Sequence, residues 1–187
     1  MNTAIILLLI VVIALLVAAA LVLGRRRQRS QRLREQFGPE YERTVAQAGD
    51  RRAAEADLAE RQERRSKLHI VELEPEARAR YGQAWTATQA KFVDNPTAAT
   101  READLLVTTV MRERGYPMED FDRRAADVSV DHPDVVQHYR AAHDISLANE
   151  RGDANTEDLR QALTHYRALF QELLAGGQGE EARRSTG

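Results

Sequence analysis

Two aspartates and a serine at alternating positions are the best candidates for metal chemistry in this 187-residue chain. Asp127, Ser129 and Asp131 copy the first three ligand positions of a calcium-binding loop. The pattern then fails, because His132 occupies the glycine position and His138 occupies the position of the bidentate glutamate. Since Asp131 lies in an Asp-His-Pro-Asp sequence typical of a helix start, we expect a helix cap here and not a cation site.

Imidazole ligands for zinc are the next possibility, since four histidines lie in the C-terminal half: His132, His138, His143 and His165. No two of them have the four-residue spacing of a helical metal site, and the HExxH motif is absent. His138 and His143 are five residues apart, which is about 140° around a helix, so they diverge. We expect structural or surface histidines, with His143 at the core edge, and predict no metal site and no cofactor.

Covalent and phosphate chemistry have no recognisable motif in this sequence. Cysteine is absent, which excludes a disulfide framework, a thiolate metal site and a cysteine nucleophile. The chain also has no GxSxG elbow, no P-loop and no GxGxxG sequence. Five aromatic side chains could line a ligand pocket, but their helical spacing favours a packed core: Trp85, Phe92, Tyr139, Tyr166 and Phe170. The sequence therefore predicts no catalytic residue.

The loop from Gly115 to Phe121 is the most individual of the connections. It presents Tyr116 and Met118 either to a partner or, as we favour, to the edge of the core.

Regular apolar spacing predicts an all-α fold, with four main helices and one short helix between residues 70 and 174. Pro75 and Pro96 occupy first-turn positions, and Asn155 is a good N-cap residue. The expected helices span residues 75–92, 96–114, 119–127, 133–150 and 156–174. Short turns join them, so they form a compact bundle. An apolar patch over 68–73 is expected to be an extended connection into this bundle.

The preceding segment, residues 37–69, is rich in Arg, Glu, Ala and Gln, with few large apolar side chains. Gly38-Pro39 breaks the chain at its start, and Gly49-Asp50 interrupts its middle. Glu60 and Arg64 have the i,i+4 spacing of a helical charge pair. The pattern predicts a solvated helical stalk without a coiled-coil stripe.

The N-terminal segment is the strongest signal in the sequence. Residues 4–23 are uncharged and apolar, and a helix of this length spans about 30 Å, the thickness of the bilayer hydrocarbon core. Residues 1–3 carry no side-chain charge, unlike the start of a secretory signal. We therefore expect an uncleaved single-pass helix in the inner or plasma membrane, with residues 1–3 on the extracytoplasmic side and the C-terminal domain in the cytoplasm.

A cleaved signal peptide is the alternative, because Ala18-Ala19-Ala20 fits the small-residue cleavage pattern. Cleavage after Ala20 would release a secreted helical domain. It would also leave the following arginines on the translocated side, against the positive-inside tendency.

Residues 24–36 form a basic collar, which contains Arg25, Arg26, Arg27, Arg29, Arg32 and Arg34. We expect the collar to set the topology and to contact anionic lipid headgroups. A sharper alternative is recognition of a specific lipid or of nucleic acid. From residue 53 onward there are 18 Lys and Arg against 25 Asp and Glu, which argues against a nucleic-acid-binding domain.

Two stretches carry a resemblance to other proteins: FVDNPTAATREADLLVTTVMRERGYPMEDFDRRAADVSVDHPDVVQHYRAAH and NTEDLRQALTHYRALFQELL. They resemble an uncharacterised family of small bacterial membrane or secreted proteins, with an N-terminal transmembrane segment and a helical domain. The resemblance covers residues 37–174 and implies a recurrent module, but it implies no activity and no site residues.

These features favour a membrane-anchored helical interaction module, which holds an unknown protein partner at the inner face of the membrane. The alternative is a small-ligand-binding or enzymatic domain with a pocket inside the bundle. The Gly-rich tail, residues 175–187, is expected to be disordered.

Overall fold

A computed structural model describes residues 2–176 of the chain, although the side chains of residues 2–11, Ala14, Ala19, Val22 and Arg26 lie outside this description. Within residues 2–176 the chain forms eight α-helices and no strand, which confirms the all-α fold class. The helices are α1 (Asn2–Phe37), α2 (Pro39–Ala48), α3 (Arg51–Ser66), α4 (Pro75–Lys91), α5 (Pro96–Arg114), α6 (Phe121–Asp131), α7 (Val136–Arg151) and α8 (Thr156–Ala175).

The predicted transmembrane segment, residues 4–23, belongs to α1, and many of its side chains lie outside the described ones. Among the residues that the structure describes, no helix is both long enough and apolar enough to cross a membrane. The predicted tail lies outside the described residues beyond Gly176.

The chain divides into two compact units, Met1–Leu58 and Ala59–Gly187, and the boundary falls inside α3. In the first unit α1 ends before Gly38, which has a φ of 46°, and Pro39 begins α2. The predicted break at Gly49 is present as the left-handed cap of α2, with a φ of 66°. The helical character of this segment is therefore confirmed.

The predicted stalk, residues 37–69, is not fully solvated, because several of its side chains are buried, as is Leu33 before it: Phe37, Tyr41, Ala54 and Leu58. Helices α1 and α2 contact each other directly. The buried residues are spaced three or four apart along α1 and into α2, so an apolar stripe exists although it is short.

Helices α4 to α8 form the predicted bundle in the second unit. Helix α8 packs against α5 and α7, and α4 packs against α5. The expected stripes are buried at most of their positions, and the core includes Tyr81, Trp85, Val107, Tyr139, Leu163, Tyr166 and Phe170. Asn155 caps α8 through hydrogen bonds from the backbone N–H groups of Glu157 and Asp158, at 2.8 and 3.0 Å. The Asp158 carboxylate completes a capping box by accepting from Asn155 N at 2.9 Å.

The bounds of α6 and α7 differ from the predicted residues 119–127 and 133–150. Helix α6 extends to Asp131, and α7 begins at Val136 instead of Pro133. The expected cap at Asp131 is wrong: the N-cap of α7 is Val135, which makes no side-chain cap bond. Asp131 instead accepts hydrogen bonds from Tyr116 and Arg65, at 2.6 and 2.5 Å. These tertiary partners satisfy the carboxylate at the end of α6.

Between α3 and α4 the chain has no regular secondary structure, and part of it lies against the end of α5. Val71 N donates to the Arg114 carbonyl at 2.9 Å, and the Arg114 Nε–H donates to the Val71 carbonyl at 3.2 Å. Gly115 has a φ of 95°, and a Cβ there would lie 2.4 Å from the His69 carbonyl oxygen. This close approach needs glycine.

Candidate functional site

The first unit contains a concave pocket of about 470 Å³, and half of its lining residues are arginines. Its lining residues come from α1 and α3: Leu23, Arg27, Arg29, Ser30, Arg51, Arg52, Glu55 and Ala56. Four arginines and one carboxylate leave a formal excess of three positive charges. The pocket is therefore suited to an anionic ligand.

A hydrogen-bonded cluster fixes the position of α1 against α3 at this pocket. Glu55 Oε1 accepts from the Ser30 hydroxyl, and it accepts from the Tyr41 hydroxyl at 2.8 Å. Arg51 Nε–H donates to Glu55 at 3.0 Å and to the Tyr41 oxygen at 3.0 Å, and its Nη2 donates to Ser30 Oγ at 2.8 Å. Because three helices contribute to this cluster, it aligns the arginines on their surfaces.

The cluster also sets the charge state of its members. Burial alone would raise the pKa of Glu55, but the hydrogen bonds from Ser30, Tyr41 and Arg51 hold this pKa below its ordinary value. Hydrogen bonds to Tyr41 and Glu55 raise the pKa of Arg51. Glu55 therefore stays ionised and offsets the charge of Arg51.

The other three arginines of the pocket keep their full charge available. Arg27, Arg29 and Arg52 are exposed, and none of them makes an ion pair or side-chain hydrogen bond with the described residues. A guanidinium group is a planar fork of N–H donors that matches the oxygens of phosphate or carboxylate. Three such groups at one concave surface can bind an anion with several oxygens.

The collar arginines lie in different environments. Arg27 and Arg29 line the pocket, and Arg25 and Arg32 are exposed elsewhere on α1. Arg34 pairs with Glu42 at 3.3 Å, with its guanidinium 5.0 Å from the centre of the Tyr41 ring, and the side chain of Arg26 lies outside the described residues.

Arg51 and Arg52 are pocket residues that the sequence analysis missed. The Arg-Arg pair after the Gly49-Asp50 break was a visible signal. Its relation to Arg27 and Arg29 depends on how α3 packs against α1, which the charge pattern does not reveal.

The calcium-like residues of the second unit are held apart by other partners. The Asp127 carboxylate lies 3.5 Å from Arg64 Nε. The Ser129 hydroxyl donates to the Ala126 carbonyl at 2.6 Å. Asp131 accepts hydrogen bonds from Arg65 and Tyr116, as described above. The polar groups of all three side chains therefore contact other protein groups. No group of three or more candidate metal ligands occurs among the residues that could be searched for one.

His132 is buried within a charged cluster of the second unit. Its Nδ1 lies 3.3 Å from Glu172 Oε1, and its Nε2 lies 3.5 Å from Arg114 Nη1. Arg114 also donates to the Leu173 carbonyl at 3.2 Å. Burial lowers the pKa of His132, and the Arg114 charge lowers it further, against the opposing charges of Asp131 and Glu172. These contacts give His132 a structural role.

Of the remaining predicted candidates, His138 and His165 form a pair and His143 stacks on an aromatic ring. His138 of α7 and His165 of α8 approach with Nδ1 atoms 2.9 Å apart, a pairing across two helices that sequence spacing could not reveal. Burial and the nearby His138 lower the pKa of His165. His143 is half-buried and stacks on Phe121 with ring centres 3.6 Å apart, which agrees with the predicted core-edge position.

The candidate aromatic pocket is a packed core. Trp85 stacks on Phe170 with ring centres 4.7 Å apart, and Tyr139 packs edge-on against Tyr166 at 6.5 Å. Tyr116 is buried and bonded to Asp131. Met118 packs against the core, so the favoured interpretation of the loop that carries it is confirmed.

Comparisons with protein-family models, curated proteins and solved structures give no match to this chain. The resemblance to small bacterial membrane or secreted proteins stays a prediction.

Proposed function

We propose that this protein is a single-pass membrane-anchored helical module, whose C-terminal bundle lies in the cytoplasm and binds a protein partner. In this proposal residues 4–23 span the bilayer, and the collar contacts anionic headgroups on the cytoplasmic side. The bundle is the interacting part, and no catalytic role is assigned to it.

One observation carries the proposal: the apolar segment and the collar belong to one helix. Helix α1 has 36 residues, from Asn2 to Phe37, and it runs from the apolar segment into the arginines without a break. Its rise per residue puts Arg27 about 6 Å beyond Leu23, within the headgroup layer if Leu23 marks the end of the hydrocarbon core. The positive-inside tendency then favours a cytoplasmic C-terminus.

Membrane anchoring is tested by extracting membranes with alkaline carbonate. The full chain is expected to stay in the membrane pellet, because only detergent releases an inserted helix. Recovery of the intact chain in the carbonate supernatant would contradict the anchor.

Topology is tested with C-terminal fusions to two reporters, one active only outside the cytoplasm and one active only inside it. We expect activity of the cytoplasmic reporter alone. Substitution of the six collar arginines by glutamine is the matched perturbation, and it should increase the external signal, since the charge bias is lost. High external activity of the unaltered chain would refute this orientation.

The partner is tested by photo-crosslinking in intact cells. Leu105 of α5 is a suitable position, because this large apolar side chain is 62% exposed on the bundle. Thr164, exposed on α8, is the control position. A specific protein crosslinked reproducibly from Leu105, and not from Thr164, would support the proposal. Absence of any crosslinked protein from several exposed positions of the bundle would count against it.

The two alternatives stay predictions with their own measurements. A secreted domain requires cleavage after Ala20, so the mature chain would begin at Leu21, and intact mass distinguishes the two forms. An enzymatic or ligand-binding bundle requires titratable side chains facing a cavity. The cluster around His132 is instead bonded to protein groups, which offers that alternative no support.

A further inference from the structure

We propose that the arginine-lined pocket between α1 and α3 is a selective site for a phosphate monoester, supplied by the headgroup of an anionic phospholipid. The inference deepens the proposed function, and it rests on that function only for the source of the phosphate. A collar that merely neutralises surface charge would not need arginines from a second helix.

The charge of the pocket matches a phosphate monoester better than a diester. Arg27, Arg29 and Arg52 have no ion pair in the described part of the chain, while Glu55 offsets Arg51. A phosphodiester headgroup carries one negative charge on its phosphate. A monoester carries between one and two near neutral pH and has three terminal oxygens. Several guanidinium groups from two directions can therefore contact a monoester at once.

The construction of the pocket supports selectivity. Ser30, Tyr41 and Glu55 hold the Arg51 guanidinium in place, and this contact joins α3 to α1. The arginines are thus presented by connected helices, and the binding surface is partly preorganised. Among the described lining residues Glu55 is the one carboxylate, and its three donors reduce its repulsion of an anion.

The location of the pocket favours a lipid as the phosphate source. Leu23, the last residue of the proposed membrane segment, is part of the lining, and Arg27 follows one helical turn later. A phosphate at this depth belongs to the headgroup layer. Simple surface attraction depends on total charge, so it would weaken equally when any exposed arginine is removed, whereas binding in this pocket should depend on the pocket arginines.

The experiment uses the full chain purified in a mild neutral detergent, with lipid binding measured by native mass spectrometry. Phosphatidic acid is the monoester probe, and phosphatidylglycerol with the same acyl chains is the diester probe. We expect at least about tenfold tighter binding of phosphatidic acid, because one additional charge-assisted contact corresponds to roughly this factor. Equal binding of the two lipids would overturn the proposal.

Matched variants separate the pocket from the collar. Arg52→Gln removes a pocket charge outside the collar and should reduce the preference for phosphatidic acid about tenfold. Arg52→Lys keeps the charge but loses the guanidinium fork, so it should weaken the preference while phosphatidylglycerol binding is retained. Arg32→Gln is the control on the exposed surface of α1, and it should leave the preference unchanged. An equal loss in Arg32→Gln and Arg52→Gln would overturn the proposal.

Soluble competitors distinguish the source of the phosphate. Glycerol 3-phosphate that competes at the same concentration as phosphatidic acid would identify a soluble monoester as an equally good occupant. Competition at much higher concentration only would identify the lipid, and either result supports the monoester site. Failure of both to bind would refute it. If alkaline carbonate releases the chain from membranes but phosphatidic acid still binds, the membrane anchor is refuted and the phosphate site is supported. If the chain stays in the membrane and phosphatidic acid does not bind, only the phosphate site is refuted.

Discussion

Gly115 offers the sharpest test of how the second unit is built. Its φ of 95° lies in the left-handed region, and its ideal Cβ position is 2.4 Å from the His69 carbonyl oxygen. Gly152, at the end of α7, has a similar φ of 79° with nothing within 4 Å of the same position. Both glycines therefore have a positive φ, but only Gly115 lies close to a backbone carbonyl.

The expected cost of each substitution follows from that difference. Gly152→Ala should reduce the free energy of unfolding by about 1 kcal/mol, since alanine is disfavoured at positive φ. Gly115→Ala carries the same cost plus about 2 kcal/mol, because a backbone carbonyl must shift to accommodate the methyl group. The total is about 3 kcal/mol, which is a large part of the stability of a small domain. The predicted difference between the two variants is thus about 2 kcal/mol.

Urea denaturation of the full chain in mild detergent provides the measurement. Trp85 is the single tryptophan, and it stacks on Phe170 in the core of the second unit, so its fluorescence reports the unfolding of that unit. Gly49→Ala is a further control, because Gly49 has positive φ and open surroundings in the first unit. Equal midpoints for Gly115→Ala and Gly152→Ala would refute the contact with His69.

The remaining predictions concern the cap of α8 and two buried charged side chains. Asn155→Ala should lower the free energy of unfolding by about 1 kcal/mol in the same denaturation assay, since it removes the cap of α8. Arg114→Gln should cost about 2–3 kcal/mol, because charged hydrogen bonds to the Val71 and Leu173 carbonyls are lost. The same substitution should raise the pKa of His132 in an NMR titration of the imidazole, since a nearby positive charge is removed. The pKa of His132 is lowered in the folded state, so the unfolded state binds the proton first as the pH falls. The free energy of unfolding should therefore decline below about pH 6.5. His132→Gln should make this decline shallower.

Local signals were sufficient for most of the helices. Pro75 and Pro96 begin α4 and α5 as predicted, and Asn155 caps α8. These features depend on contacts within a few residues, so their sequence patterns are specific. The stripe of α8 also predicted its buried face, because each turn of a core helix must contribute an apolar side chain.

Sequence patterns were insufficient where partners far apart in the chain decide the contacts. Asp131 had the sequence context of a cap, yet Arg65 and Tyr116 occupy its carboxylate. His138 and His165 are 27 residues apart and become neighbours only because α7 packs on α8. Neither outcome has a signature in residue spacing, since both depend on the relative placement of whole helices.

The same limit explains why net charge could not identify the arginine-lined pocket. Arg51 and Arg52 are adjacent, but successive residues point about 100° apart around a helix. The Arg51 guanidinium is occupied by Ser30, Tyr41 and Glu55, whereas Arg52 makes no ion pair within the described residues. Anion binding requires charge that the protein itself has not offset, so pairing decides which arginines can act. A substitution at Arg51 should therefore disturb the packing of α1 on α3, and one at Arg52 should change only what the pocket binds.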